Sequence, residues 1–150
     1  MAYKIFLSYW TGALPEVREC RDILKQPTVE VFLADESVRE GEKLTPTIQE
    51  AVRECDLFTL MWSAGAKGRP WVHQEIGAAL SQKKKILPIL LDDSKLPDNL
   101  RDVKYFKAHD DVGAMRERLR ELVRSEAEKK GYNELAAITA LGMLLYLALK

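Results

Sequence analysis

Short apolar runs alternate with amphipathic stretches along most of the chain, and the alternation predicts strands separated by helices. Tyr3 to Ser8 is an unbroken run of β-formers, which reads as a buried first strand ended by Thr11-Gly12. Leu14, Val17, Cys20, Arg21 and Leu24 then make a helical stripe, with Pro15 in the first turn and Pro27 closing it. Val29 to Leu33 is a second strand, followed by the polar loop ADESVREGEKL. Thr45-Pro46 has the form of an N-cap and first helical position, with Gln49 or Glu50 placed to complete the cap. The helix it opens has Ile48, Ala51, Val52 and Cys55 on its inner stripe. Asp56 to Trp62 is a third strand, SAGAKGR a loop, and Pro70 starts the helix that holds WVHQE. Ile86 to Leu91 is a fourth strand, and Val103 to Lys107 a weak fifth at an edge. Val112 to Arg124 is a charged amphipathic helix, which Gly131-Tyr132-Asn133 is expected to end.

Strands that are apolar on both faces and alternate with helices imply a parallel sheet covered on both sides. The expected fold is flavodoxin-like, a three-layer α/β/α sandwich with a five-stranded parallel sheet in the order 2-1-3-4-5. In such sheets the ligand crevice opens beyond the carboxyl ends of the strands where the winding reverses. That rule alone selects Ser8, Tyr9 and Trp10 after strand one, Asp35 after strand two, and Ser63 with the WVHQE helix after strand three. Trp71 and Glu75, four apart, share one side of that helix. The plainer reading of Glu75 is an exposed helical acid paired with a lysine.

Composition narrows the choice. With 150 residues the chain has the length of one domain, and its 23 basic and 23 acidic side chains cancel, so no overall field draws in nucleic acid. The run Lys83-Lys84-Lys85 reads as a solvated helix end. Cys20 and Cys55 lie among apolar residues in helix-like segments, which suggests reduced buried thiols in a cytoplasmic setting. His73 and His109 are isolated from other ligand-type residues, and no metal site is expected. The N-terminal MAYKIFLSYW reads as a strand and not as a signal peptide. From Leu135 to Leu149 there is no charge, over a length below the ~20 apolar residues of a spanning helix. The chain is therefore divided into a domain at residues 1–130 and an apolar helix at 131–150. For that helix, packing, oligomerisation or the start of a membrane segment all remain open.

No GxGxxG, Walker lysine loop or GxSxG elbow is present. The positions where a receiver-type domain would carry its acids hold Ser8-Tyr9 and Ser63. What the chain does resemble is a Toll/interleukin-1 receptor (TIR) domain, over roughly residues 1 to 125. KIFLSY is similar to the first box of that family, and VFLADESVREGEKLTPTIQEAV to its second strand, BB loop and following helix. DLFTLMWS is similar to its third strand, and RPWVHQEIGAAL to its third helix with a Trp-x-x-x-Glu motif.

The resemblance implies one of two activities, signalling by self-association or cleavage of NAD. The enzymatic branch uses a glutamate of the third helix, and Glu75 is the matching position. NAD would then be a substrate, with no cofactor, cleaved to nicotinamide and ADP-ribose or a cyclic isomer, in immune, antiphage or stress signalling. One carboxylate suffices for that chemistry. Nicotinamide leaves as a neutral molecule, so no general acid is needed, and an ionised Glu can stabilise an oxocarbenium-like ribose. A position near a helix N-terminus is expected to favour ionisation of Glu75. Trp71 would wall the pocket or brace the helix, and Ser8, Tyr9 and Trp10 would contact the substrate ribose or phosphates. The family's enzymes often have a basic residue in this first loop, where the chain has Tyr9-Trp10-Thr11. Arg39 and Lys43 of the BB loop are then the candidate cations. Self-association is expected through the BB loop, residues 35–44, and through the C-terminal helix. The rivals are a non-catalytic interaction module, and a related enzyme such as a nucleoside deoxyribosyltransferase.

Overall fold

A computed structural model describes residues 2–34, 44–108 and 112–149. Its strands are β1 (Tyr3–Ser8), β2 (Val29–Leu33), β3 (Leu57–Trp62), β4 (Ile86–Leu90) and β5 (Phe106–Lys107). They pair in parallel in the order β2-β1-β3-β4-β5, the expected flavodoxin-like topology. The helices are α1 (Leu14–Leu24), α2 (Pro46–Glu54), the single turn α3 (Ala64–Lys67), α4 (Pro70–Ser81) and α5 (Val112–Leu149). α1 packs on α5 across one face of the sheet, and α2 on α4 across the other.

The central strands leave no face for water. All six residues of β3 are buried, and five of six in β1. Phe6 of β1 is in register with Phe32 of β2 and Phe58 of β3, and the three rings stack at centroid distances of 5.4 and 5.2 Å. Such aligned aromatic pairs add to the area they bury, and they fix the register of three strands at once. At the amino edge, Asp56 accepts hydrogen bonds from the Lys4 amide (2.8 Å) and from Lys130 Nζ (2.8 Å), and Lys130 also bonds the Ala2 carbonyl. This joins the starts of β1 and β3 to α5.

Thr45 caps α2 as expected, its hydroxyl accepting from the Ile48 amide at 3.3 Å, while Gln49 donates to the Leu44 carbonyl. Three features differ from the sequence reading. Part of the SAGAKGR loop winds into α3, because Ser63 supplies a side-chain cap for it. The fifth strand shrinks to two residues, since an edge strand gains ladder bonds on one side only. Gly131-Tyr132-Asn133 does not end a helix. α5 runs unbroken from Val112 to Leu149, so the apolar tail is the continuation of the same helix and not a separate one. A glycine inside a helix costs only ~1 kcal/mol, which the good helix formers on either side offset.

Leu119, Val123 and Ala127, spaced four apart, are the buried stripe of α5. Beyond Lys130 the helix presents Tyr132, Leu135, Met143, Leu144 and Leu147 to solvent. Among the described residues no helix is long and apolar enough to cross a membrane. Lys83 sits just past α4 with φ 55°, bonded as in a Schellman turn by Lys83 N to Leu80 O and Lys84 N to Ala79 O. The lysine run is put to structural use: Lys84 donates to the Cys55 carbonyl at 3.0 Å and Lys85 pairs with Glu126 at 3.1 Å.

Cys20 and Cys55 are free and buried. Burial pushes the Cys20 thiol up to about 12 and the Cys55 thiol up to about 11, the latter against the pull of Lys84. Because a raised thiol pKa means the unfolded chain loses its proton first, stability is whole below pH 9 and falls as pH rises toward 11 or 12. Cys20→Ala should flatten part of that alkaline slope in denaturant titrations run at successive pH values. A second expectation concerns Lys83, whose left-handed backbone suits glycine: Lys83→Gly should raise stability by about 0.5–1 kcal/mol in the same assay.

Candidate active site

Beyond the carboxyl ends of β1 and β3, where this topology places its ligand crevice, lie the β1–α1 connection, α3 and the start of α4. Trp62, at the end of β3, shares the sheet face of Phe6 and Phe58 by strand alternation, and its ring meets His73 of α4 edge-on at 5.8 Å. That face is therefore the one α4 covers, and Ser8, two residues after Phe6, looks the same way. Trp62 Nε1 donates to the Lys95 carbonyl at 2.9 Å. Asp92, just past β4, accepts from the Ala64 amide at 3.0 Å and so anchors α3.

Along α4 the buried positions are Val72, Glu75, Ile76 and Ala79. This is the inward stripe of the helix, and Glu75 stands where helical periodicity calls for a hydrophobic residue. It is 1% exposed, so it is not the exposed surface acid of the plainer reading. A carboxylate in that position costs free energy unless its charge is put to use by partners. Its place as the sixth residue of a helix that starts at Pro70 also corrects an expectation, because the helix dipole acts mainly within the first turn.

The remaining residues selected from sequence divide three ways. Ser8 is fully buried and its Oγ has no hydrogen-bond partner among the described residues. Trp71 is half-buried, with a buried Nε1 that likewise lacks an acceptor. Tyr9 is 7% exposed and belongs to the core cluster. Ser63 turns its hydroxyl to the Ala66 amide as the cap of α3. Trp10 packs at the crevice against two glycines, Gly12 and Gly65, and a methyl group on either would collide with the indole. Asp35, Arg39 and Lys43, and with them nearly all of the BB loop, lie outside the described residues. His73 is exposed and bonds the Lys67 carbonyl through Nε2 at 2.7 Å, which locks α4 to α3.

Arg69 is the residue that sequence reasoning passed over. It immediately precedes α4, and its guanidinium carbon lies 5.4 Å from the Trp10 ring and 5.7 Å from the Trp71 ring. Its position next to Pro70 at the start of the motif helix was the available signal. Among the described residues no group of acids, histidines and cysteines is arranged to hold a metal ion. A groove of about 550 Å³ lies on the far face between β4, β5 and α5, away from these residues.

A family model described as TIR domain matches residues 5–123. The chain belongs to the TIR-domain family. A curated relative from Brachypodium distachyon, "Probable 2' cyclic ADP-D-ribose synthase BdTIR", is 28% identical over 93 residues, covering 59% of this chain and 42% of that protein. The match thus spans less than half of the plant relative's length. Among solved structures, the TIR domain of the Toll-related receptor TRR-2 from Hydra magnipapillata superposes with a TM-score of 0.66 at 18% identity, covering 82% of this chain and 99% of that one. The TIR domains of the activated Roq1 resistosome, which recognises the pathogen effector XopQ, give 0.53 at 18% identity, covering 82% and 84%. At these identities the two structures show the shared TIR fold.

The Trp10 contact gives a direct test of the crevice. Gly65→Ala must displace the indole, so tryptophan emission should shift to the red and stability should fall by about 1–3 kcal/mol. An unchanged spectrum would place Trp10 elsewhere.

Proposed function

We propose that this TIR domain is an NAD glycohydrolase, releasing nicotinamide and leaving ADP-ribose or a cyclic isomer of it. The observation that carries the reading is Glu75, an acid on the buried stripe of α4 at the crevice where this topology binds ligands. The name of the plant relative, a probable cyclic ADP-ribose synthase, supports the same chemistry class.

In the reaction, the bond from the ribose C1′ to the pyridinium nitrogen breaks and its electron pair leaves with nicotinamide. The departing ring needs no proton. Positive charge grows on the ribose, and the Glu75 carboxylate stabilises it in surroundings of low polarity, where a fixed charge acts more strongly than in water. Water attack at C1′ gives ADP-ribose and a proton, and attack by an oxygen or nitrogen of the same molecule gives a cyclic product. Trp71, one turn before Glu75, closes the side of the pocket and keeps the helix end in place.

Self-association is the second part of the proposal. The Roq1 TIR domains belong to an assembled resistosome, and here the tail of α5 holds five large apolar side chains at 60–73% exposure. Assembly at the BB loop and α5 fits a domain that acts in a signalling complex, whether or not turnover accompanies it.

Incubation with NAD at several protein concentrations, read by chromatography with mass detection, tests the first part. Nicotinamide release is expected, and Glu75→Gln should lower it by about 10³-fold while leaving the melting midpoint close to wild type. Turnover of free nucleosides with NAD untouched would instead favour a deoxyribosyltransferase-like enzyme. For the second part, Leu144→Lys with Leu147→Lys should reduce the sedimenting mass of the assembly without unfolding the domain.

A further inference from the structure

A dinucleotide carries two anionic phosphates, so the proposed substrate calls for a cation at this end of the sheet that is not already neutralised. Several cations among the described residues are already occupied by acids. Arg53, Arg120 and Arg124 are paired with acids on their own helices, Arg116 with Glu19 on α1, and Lys130 with Asp56. Arg69 is different. Among the described residues its guanidinium makes no hydrogen bond or ion pair, and it lies instead over the rings of Trp10 and Trp71.

Contacts of this kind use the face of the guanidinium and leave the N–H edge free. Two rings at 5.4 and 5.7 Å restrict the guanidinium, which lowers the entropy lost when it binds an anion. Two buried groups toward this end of the sheet also have no hydrogen-bond partner among the described residues. Trp71 Nε1–H is buried and unsatisfied, and so is the hydroxyl of Ser8, which is fully buried on the α4 face of the sheet. Unsatisfied buried donors are costly, and a ligand rich in acceptor oxygens relieves that cost. The β1–α1 connection, Tyr9-Trp10-Thr11, brings no cation of its own to this place, and Arg69 reaches it from α4.

We infer that Arg69, held against Trp10 and Trp71, is the diphosphate-binding residue of the site, reading the anionic bridge of a dinucleotide through its free N–H edge. This inference rests on the glycohydrolase reading for its substrate, but an anion site there stands or falls on binding alone.

The experiment is calorimetric titration of the full chain with ADP-ribose and with nicotinamide riboside, which lacks any phosphate, beside steady-state turnover of NAD. The wild type is expected to bind ADP-ribose. Arg69→Gln should weaken it by about 10- to 100-fold and leave nicotinamide riboside unchanged, with Arg69→Lys falling between, since an ammonium keeps the charge but not the planar fork. Equal affinity of wild type and Arg69→Gln for ADP-ribose overturns the inference. So does an equal loss for both ligands, which would make Arg69 a brace for the two tryptophans, and so does a wild type that binds no ADP-ribose. Should the wild type bind ADP-ribose through Arg69 yet leave NAD intact, the anion site stands and the glycohydrolase reading fails. NAD cleavage by a wild type whose affinity for ADP-ribose is matched by Arg69→Gln would do the reverse, keeping the glycohydrolase and overturning the anion site.

Discussion

Water has no access to either face of β3: from Leu57 to Trp62 every side chain is buried. A strand of that kind cannot sit at an edge or carry an open face, so it must be flanked by strands and covered by helices on both sides. From this follow the crossovers that place α1 and α5 on one face and α2 and α4 on the other. The reversal of winding between β1 and β3 follows as well, and in this topology it opens a gap at their carboxyl ends. The stack of Phe6 with Phe32 and Phe58 then fixes the register, so the residues just past β1 and β3 arrive at that gap together.

The gap is filled by groups that packing alone does not explain. An acid occupies the inward stripe of α4, and a hydroxyl ends a buried strand with no partner among the described residues. An arginine lies against two indoles, with no acid beside it among those residues. All three lie toward the same end of the sheet. The glycines at 12 and 65 belong to this arrangement, because only residues without a Cβ let the Trp10 ring approach so closely. Among the described residues the buried polar side chains are Ser8, Thr59 and Glu75, and the first and last of them lie on the sheet face that α4 covers.

α5 joins two environments in one helix. Its first part is tied to the sheet by Leu119, Val123, Ala127 and the Lys130–Asp56 pair. From Leu135 to Leu149 it has no charge, and it carries exposed leucines and a methionine there. Since the helix is continuous, anything that seats the tail is coupled mechanically to the domain.

Much of this was legible in the order of residues. The apolar runs gave the four main strands nearly to the residue, because a short run of apolar β-formers is a local signal that needs no partner information. Their order followed from the topology rule, which also selected Glu75, Trp71 and Ser8 as candidates. The motifs KIFLSY and RPWVHQEIGAAL pointed to the TIR family, to which the chain belongs. Tertiary structure decided the rest. Whether Glu75 faces water or core depends on how α4 is rotated against the sheet, and one helical stripe fixes that rotation only once the sheet exists. The continuity of α5 past Gly131 was set by a whole helix's hydrogen bonds, which outweigh one poor residue. Arg69 drew no notice in the sequence because its meaning lies in Trp10, distant along the chain and brought within 5.4 Å only by the parallel pairing of β1 with β3.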